Sequence, residues 1–175
     1  MAYEALGVNR APADHNPDAA VRHREGVKVV KTVMVPRGKD EVYAFWRNFE
    51  NLPRFMRHLI AVKKVDDKTS HWVARGPMGR LVEWDAEIIA DEPGNKIAWK
   101  TLPGADIASA GTVLFRDMVG GQGTSVTVEL SYHPPAGRIG ALAARLMGEE
   151  PGLQIDDDLN CFKQIMEAGE MAPTR

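Results

Sequence analysis

Apolar and polar residues alternate along most of this chain, and the alternation predicts a β-sheet. Seven segments alternate in this way and are rich in β-branched and aromatic residues, as half-buried strands are. We place the strands at Val27 to Val35, Ile60 to Asp67, Ser70 to Gly76, Arg80 to Asp91, Asn95 to Leu102, Ala108 to Met118 and Ser125 to Tyr132. Short turns join most of them, which requires antiparallel neighbours.

Helical spacing follows the first strand. A helix is expected from Lys39 to about Phe49, and its apolar face comprises Val42, Phe45, Trp46 and Phe49. Asn51 then has the character of an N-cap for a second, short helix with the sequence ENLPRFMRHL, in which Pro53 is tolerated in the first turn. One strand, two helices and then six strands is a distinctive order.

Helical spacing returns near the C-terminus as two apolar stripes. The first comprises Ile139, Leu142, Ala143, Leu146 and Met147, and the second Ile155, Leu159, Phe162 and Met166. The stripes are about half a turn out of phase at roughly 3.6 residues per turn, and Pro151 and Gly152 separate them. We therefore predict a kinked C-terminal helix, with four polar residues turned mostly to water: Asp156, Asp157, Asp158 and Lys163.

The register of the fourth and fifth strands predicts which face is buried. A turn centred on Pro93 and Gly94 pairs Ile88 with Trp99, Ala90 with Ile97 and Glu87 with Lys100. The inner face then holds Trp72, Ala74, Val82, Trp84, Ala86, Ile88, Ile97, Trp99, Val113, Phe115, Val126, Val128, Leu130 and Tyr132. The outer face carries Glu83, Asp85, Glu87, Lys100, Arg116 and Glu129.

The length and composition of the chain indicate one domain over residues 26–170, with an N-terminal extension at 1–25 and a short tail at 171–175. A formal net charge of -2 makes nucleic acid an unlikely partner. No apolar run reaches the ~18 residues of a membrane helix, and the start does not read as a signal peptide, so we expect a cytoplasmic protein. The single cysteine, Cys161, forms no internal disulfide.

The sequence offers little sign of metal or cofactor chemistry. The five histidines lack metal-ligand spacing, and no serine lies in a nucleophile elbow. Glu83, Asp85 and Glu87 alternate with Trp84 and should therefore face water rather than act as acid and base. We expect no metal and no cofactor.

Three stretches resemble the START-like superfamily, in its bacterial polyketide cyclase/dehydrase or coenzyme Q-binding branch: KDEVYAFWRNFENLPRFMRHL, HWVARGPMGRLVEWDAEIIADEPGNKIAW and DLNCFKQIMEAGE. The resemblance covers roughly residues 27–170. It implies an α+β helix-grip fold, in which a curved seven-stranded antiparallel sheet (order β-α-α-β6-α) surrounds a kinked C-terminal helix. It also implies a deep cavity between sheet and helix for lipids, polyketides or isoprenoid quinones.

The candidate ligand contacts are mostly aromatic residues of the inner face and of the two helical regions: Trp72, Trp84, Trp99, Phe55, Met56, Phe115, Tyr132, Leu159 and Phe162. Packing of the core is the competing interpretation for each tryptophan, and both hold where a cavity is lined by core residues. Phe55 and Met56 could form part of a gate at the cavity mouth, or a simple lid.

Three functions follow from these residues. The favoured one is binding of a hydrophobic small molecule, with transport or sequestration as its purpose. The second is a cofactor-independent polyketide cyclase, aromatase or dehydratase, which requires an acid or base directed into the hollow; the sequence shows no convincing one. The third is a protein-interaction module with a vestigial cavity.

Overall fold

The computed structural model describes residues 27–75, 79–105, 108–133 and 151–169. These ranges form seven strands, two α-helices and one 3-10 helix. In chain order they are β1 (Val27–Val35), α1 (Lys39–Arg47), the 3-10 helix (Phe49–Arg54), β2 (Leu59–Lys64), β3 (Thr69–Arg75), β4 (Leu81–Glu92), β5 (Lys96–Thr101), β6 (Ala108–Asp117), β7 (Thr124–His133) and α2 (Pro151–Ala168).

The strands form one antiparallel sheet in the order β1-β7-β6-β5-β4-β3-β2, so β1 and β2 are its two edges. Both edge regions nevertheless contact α2. Lys31 Nζ of β1 lies 2.8 Å from Asp156 Oδ2, and Gln154 Nε2 lies 3.0 Å from Nδ1 of His58, just before β2. The sheet must therefore curve round the helix, which confirms the predicted helix-grip arrangement.

The inner face of this sheet is the one predicted from alternation. Its deepest residues are almost completely shielded from solvent: Trp72, Ala74, Ala86, Ile97, Trp99, Val113, Phe115, Val126 and Val128. On the opposite face Glu83, Asp85 and Arg116 are exposed. Apolar side chains face the helices because only that side of the sheet is covered.

The second apolar stripe of the C-terminal helix is also confirmed, since Ile155, Leu159, Phe162 and Met166 are all buried. One of the four polar residues expected to face water does not. Asp158 is 2% exposed. It lies three residues after Ile155 and four before Phe162, at the border of the apolar face, where the segment around Arg57 covers it.

Several sequence predictions fall outside the described residues. They are the extension at 1–25, the first apolar stripe at 139–147, the kink that precedes α2 and the tail at 171–175.

The second helix differs from the prediction. It is a 3-10 helix, and its N-cap is Asn48, whose side chain accepts a hydrogen bond from the Glu50 N–H at 3.3 Å. Asn51, the predicted N-cap, instead donates through Nδ2 to the main-chain oxygen of Phe45 at 3.0 Å. Because α1 ends at Arg47, its last carbonyl groups need a partner, and Asn51 supplies one.

The predicted pairing of β4 with β5 is correct at the centre of the two strands and wrong near the turn. Ile88 faces Trp99 and Glu87 faces Lys100 as predicted, but Ala90 faces Ala98 rather than Ile97. The hairpin loop contains three residues, 93–95, which shifts the pairs beside it by one, and a bulge between Ile88 and Ala90 restores the predicted register.

A close approach between β5 and β6 fixes the position of Trp99. A Cβ atom on Gly111 would lie 2.3 Å from Cζ2 of that indole. We expect Gly111→Ala to destabilise the protein by about 1–3 kcal/mol, because the ring must move within a packed core. Denaturant unfolding measures the change.

Gly38→Ala is the matched control. Among the described residues no atom lies within 4 Å of a Cβ at Gly38, and its φ of -64° suits any residue. Equal stability of the two variants would contradict the close packing of Trp99 on Gly111.

Candidate functional site

Three of the predicted ligand contacts lie side by side on the inner face. Trp84 and Trp72 are direct partners on β4 and β3 and are stacked, with ring centroids 5.8 Å apart. Trp99 on β5 continues the stack, 6.3 Å from Trp72. We call Trp84, Trp72 and Trp99 the tryptophan row. It presents flat aromatic surface across three adjacent strands.

Neighbouring residues hold the tryptophan row in place. The Phe49 ring packs edge-on against Trp72 and Trp99, with centroids 5.5 and 5.3 Å away. Trp72 Nε1 donates to Ser70 Oγ at 2.8 Å, so the buried indole N–H is satisfied within its own strand. The row is therefore preorganised.

Burial decreases along the inner face. Trp72 and Trp99 are buried, whereas Trp84 is half-buried. The other half-buried apolar residues of the inner face lie at the same end of the sheet: Val29, Val82 and Leu130. We call Val29, Val82, Trp84 and Leu130 the open end. The described part of the chain leaves apolar surface accessible there.

The remaining predicted contacts lie elsewhere. Phe55, Leu159 and Phe162 are buried. The rings of Phe55 and Phe162 are tilted against each other, and both pack edge-on against Trp46 of α1. Met56 is also buried. A ligand role for these residues stays a prediction.

Two predicted aromatic contacts lie on the strands beyond the row. Phe115 packs edge-on against Tyr43, whose hydroxyl donates to Asp91. The backbone of Tyr132 belongs to β7, and its side chain is outside the described part of the chain. The Tyr43 hydroxyl is thus engaged with Asp91.

Sequence reasoning missed a buried acid beside an imidazole. Asp158 Oδ1 accepts the Arg57 N–H at 3.4 Å, a long hydrogen bond. Within the described residues its second oxygen, Oδ2, is buried without a hydrogen-bond partner and lies 3.8 Å from His58 Nδ1. The helical spacing of Ile155, Asp158 and Phe162 was the available signal. No comparable signal in the sequence pointed to His58, because only folding brings it to α2.

Burial alters the protonation of both groups. Removal from water raises the pKa of Asp158 to about 6, and the Arg57 N–H opposes this only in part. Burial lowers the pKa of His58 below its usual value. The imidazole is therefore neutral at pH 7, and Asp158 titrates close to neutrality.

A second charged group also faces inward. Lys31 lies between Val29 and Val33 on β1, so alternation alone places it on the inner face, and its ammonium pairs with Asp156. Both side chains are partly exposed, at 34% and 42%. This pair and the His58–Gln154 contact attach the first half of α2 to opposite edges of the sheet.

A separate cleft of about 490 Å³ lies between α1 and the β2–β3 turn. Its rim is charged, with Arg47, Glu50, Lys64 and Lys68, and its floor includes Phe49. Its lining also includes Ser70 and Ile88 of the inner face, but none of the predicted ligand contacts.

Within the described ranges, no three His, Cys, Asp or Glu side chains are grouped to hold a metal ion. No helix there has the length and apolar character needed to cross a membrane.

The buried acid predicts a pH-dependent effect on stability. Because the folded-state pKa of about 6 exceeds the ordinary value of 3.8, the native state binds the extra proton between these pH values. Stability from this group is present at low pH and is lost as pH rises from about 4 to about 6. We expect Asp158→Asn to stabilise the protein by about 1–3 kcal/mol at pH 8 and by much less at pH 4.

Denaturant unfolding at both pH values tests this expectation, with the exposed neighbour Asp157→Asn as control. His58 contributes the opposite slope, since its lowered pKa costs stability as pH falls through 6.5. The contribution of His58 to stability is largely the same in the parent protein and in each variant, so it cancels when the two are compared. A gain that did not depend on pH would contradict the raised pKa of Asp158.

Comparison with known proteins identifies the family to which this chain is similar. Residues 35–159 match the family described as polyketide cyclase/dehydrase and lipid transport. A Deinococcus radiodurans protein of known structure is 41% identical over 82% of this chain and 98% of its own, with a TM-score of 0.68. An uncharacterised 17.2 kDa protein of Streptomyces lincolnensis is 29% identical over 143 residues, which are 80% of this chain and 89% of that protein.

A more distant likeness extends to an enzyme. An aromatase/cyclase of Streptomyces sp. R1128 is 16% identical over 84% of this chain and 94% of its own, with a TM-score of 0.60. At that identity the likeness shows a shared fold alone. The family match covers most of the chain and confirms the resemblance drawn from the sequence: this protein belongs to the polyketide cyclase/dehydrase and lipid transport family.

Proposed function

We propose that this protein binds a hydrophobic small molecule, such as a lipid, a polyketide or an isoprenoid quinone, between the inner face of the sheet and α2. The observation that carries the proposal is the tryptophan row with its half-buried member, Trp84. A half-buried indole that continues a buried stack offers apolar surface to a flat or extended molecule.

The energetics suit such a ligand. Burial of apolar surface contributes about 25 cal/mol per Å2, so a ligand ring placed on the open end gains affinity without charged contacts. Lys31 is the one charged side chain on the inner face of β1, and Asp156 already neutralises it. The family description, which includes lipid transport, is consistent with a carrier.

A second candidate function is cofactor-independent cyclisation, aromatisation or dehydration of a polyketide. It requires an acid or base near the hollow, and the buried Asp158 beside His58 provides that pair. An aromatase/cyclase shares this fold, which is consistent with this second candidate.

Native mass spectrometry of gently purified protein tests the binding proposal. We expect an additional mass of a few hundred daltons that is released by organic extraction and identified as a lipid, polyketide or quinone. Protein that carries no extractable molecule and binds no added apolar probe would contradict the proposal and favour an interaction module.

The tryptophan row predicts the effect of substitutions on binding. With 1-aminoanthracene, a flat apolar fluorophore, Trp84→Ala should weaken affinity about tenfold because it removes the accessible stacking surface. Trp99→Ala should also weaken binding, with an added loss of stability from its contact with Gly111.

Glu87→Ala is the matched control in a fluorescence titration. Glu87 is on β4 three residues from Trp84, and it pairs with Lys100 on the opposite face of the sheet. Equal affinities of the Trp84 and Glu87 variants would show that the ligand does not contact the inner face.

A further inference from the structure

We propose that the cleft between α1 and the β2–β3 turn is a second small-molecule site, separate from the tryptophan row. Its lining selects a flat, uncharged molecule of one or two rings that carries a carbonyl oxygen. Binding there does not depend on the ligand proposed for the inner face, because none of the predicted ligand contacts lines this cleft.

The walls of the cleft are fixed before any ligand enters. Arg47 Nε of α1 donates to Asp91 Oδ2 of β4 at 2.7 Å, and Arg47 Nη2 donates to the main-chain oxygen of Asp67 in the β2–β3 turn at 2.9 Å. One guanidinium group therefore ties the helix to both the sheet and the turn. The volume of about 490 Å³ is within the roughly 300–1,000 Å³ of small-molecule sites, and a preformed cleft loses little free energy to ordering when a ligand binds.

The deep end of the cleft is mostly apolar. Of the described lining residues, Phe49, Ser70 and Ile88 are buried, whereas the others are half-buried or exposed. Phe49 also packs edge-on against Trp72 and Trp99, so its ring is shared between the cleft and two members of the tryptophan row. A ligand ring placed at the deep end would bury apolar surface against Phe49 and Ile88.

Ser70 places a hydrogen-bond donor among these apolar groups. Its Oγ accepts the Trp72 indole N–H at 2.8 Å, so its own hydroxyl proton needs a different acceptor. No group in the described part of the chain accepts that proton, and the residue is 6% exposed. A buried donor without an acceptor costs free energy, which the carbonyl oxygen of a ligand would recover.

The charges of the rim favour an uncharged ligand over an anion. Three cations and three carboxylates balance one another: Arg47, Lys64 and Lys68 with Glu50, Asp66 and Asp67. The rim therefore offers no net field to attract an ion. At the deep end a ligand carboxylate would meet the Ser70 hydroxyl, and a single donor is too little to offset the loss of its hydration. A carbonyl oxygen needs just one donor, and Ser70 supplies it.

NMR titration with 1-indanone tests the site. This ketone is a flat bicyclic molecule, and indane has the same ring system without the carbonyl group. We expect saturable shifts of the amide signals of Phe49, Ser70 and Ile88, with little change at Val82 and Trp84 of the open end. Indane should bind about fivefold more weakly, because it cannot accept the hydrogen bond from Ser70.

Ala44→Met should close the cleft. Ala44 is an exposed residue of α1 that lines it, and methionine is a good helix former. The longer side chain occupies the space of the ligand, so the affinity for 1-indanone should fall about tenfold. Ala168→Met is the matched control, since Ala168 is an exposed alanine of α2 outside the lining, and its substitution should leave the affinity unchanged.

Ser70→Ala tests the preference for a carbonyl group. This variant also leaves the Trp72 indole N–H without its acceptor and loses stability, so the readout is the ratio of two affinities measured on the same protein. We expect 1-indanone and indane to bind the variant equally, whereas the ketone binds the parent protein about fivefold more tightly. A preference for the ketone that persists in Ser70→Ala would reject Ser70 as the donor.

The outcomes also separate this site from the tryptophan row. Shifts confined to Val82 and Trp84, or the absence of any saturable shift, would overturn the cleft site and leave the proposed hydrophobic site standing. Equal losses of affinity in Ala44→Met and Ala168→Met would overturn it as well. The probe 1-aminoanthracene should bind the Ala44→Met variant as tightly as the parent protein, and weaker binding would show that the cleft and the row are one site.

Discussion

Burial of one face of the sheet against α2 is the constraint on which the rest of this structure depends. Side chains alternate across a strand, so every inner position must fit the helix and every outer position meets water. The contact of Trp99 with Gly111 shows how closely the inner face is packed. The tryptophan row follows from the same rule, because Trp72, Trp84 and Trp99 occupy inner positions on adjacent strands.

The few polar groups that border the apolar interior differ in how they are neutralised. Lys31 and Asp156 neutralise each other and hold the helix to one edge of the sheet. Asp158 differs, because its second oxygen has no hydrogen-bond partner in the described part of the molecule. Strongly perturbed carboxyl groups cluster at functional sites more often than in purely structural ones, which is why this residue draws attention to the end of the sheet near His58.

The two candidate functions differ in what they ask of the same architecture. A carrier needs only an accessible apolar surface, which the open end supplies. A cyclase or dehydratase also needs an acid or base next to that surface.

The sequence by itself determined the strands, the buried face and the second apolar stripe of α2, because these follow from periodicity within single segments. Local reasoning misplaced the N-cap at Asn51 and the pairing of Ala90, since a tertiary contact and a bulge decided those points. Only the tertiary structure brought His58 to Asp158, which are 100 positions apart along the chain. Their contact depends on the curvature of the sheet round the helix, and no pattern within either segment encodes that distance.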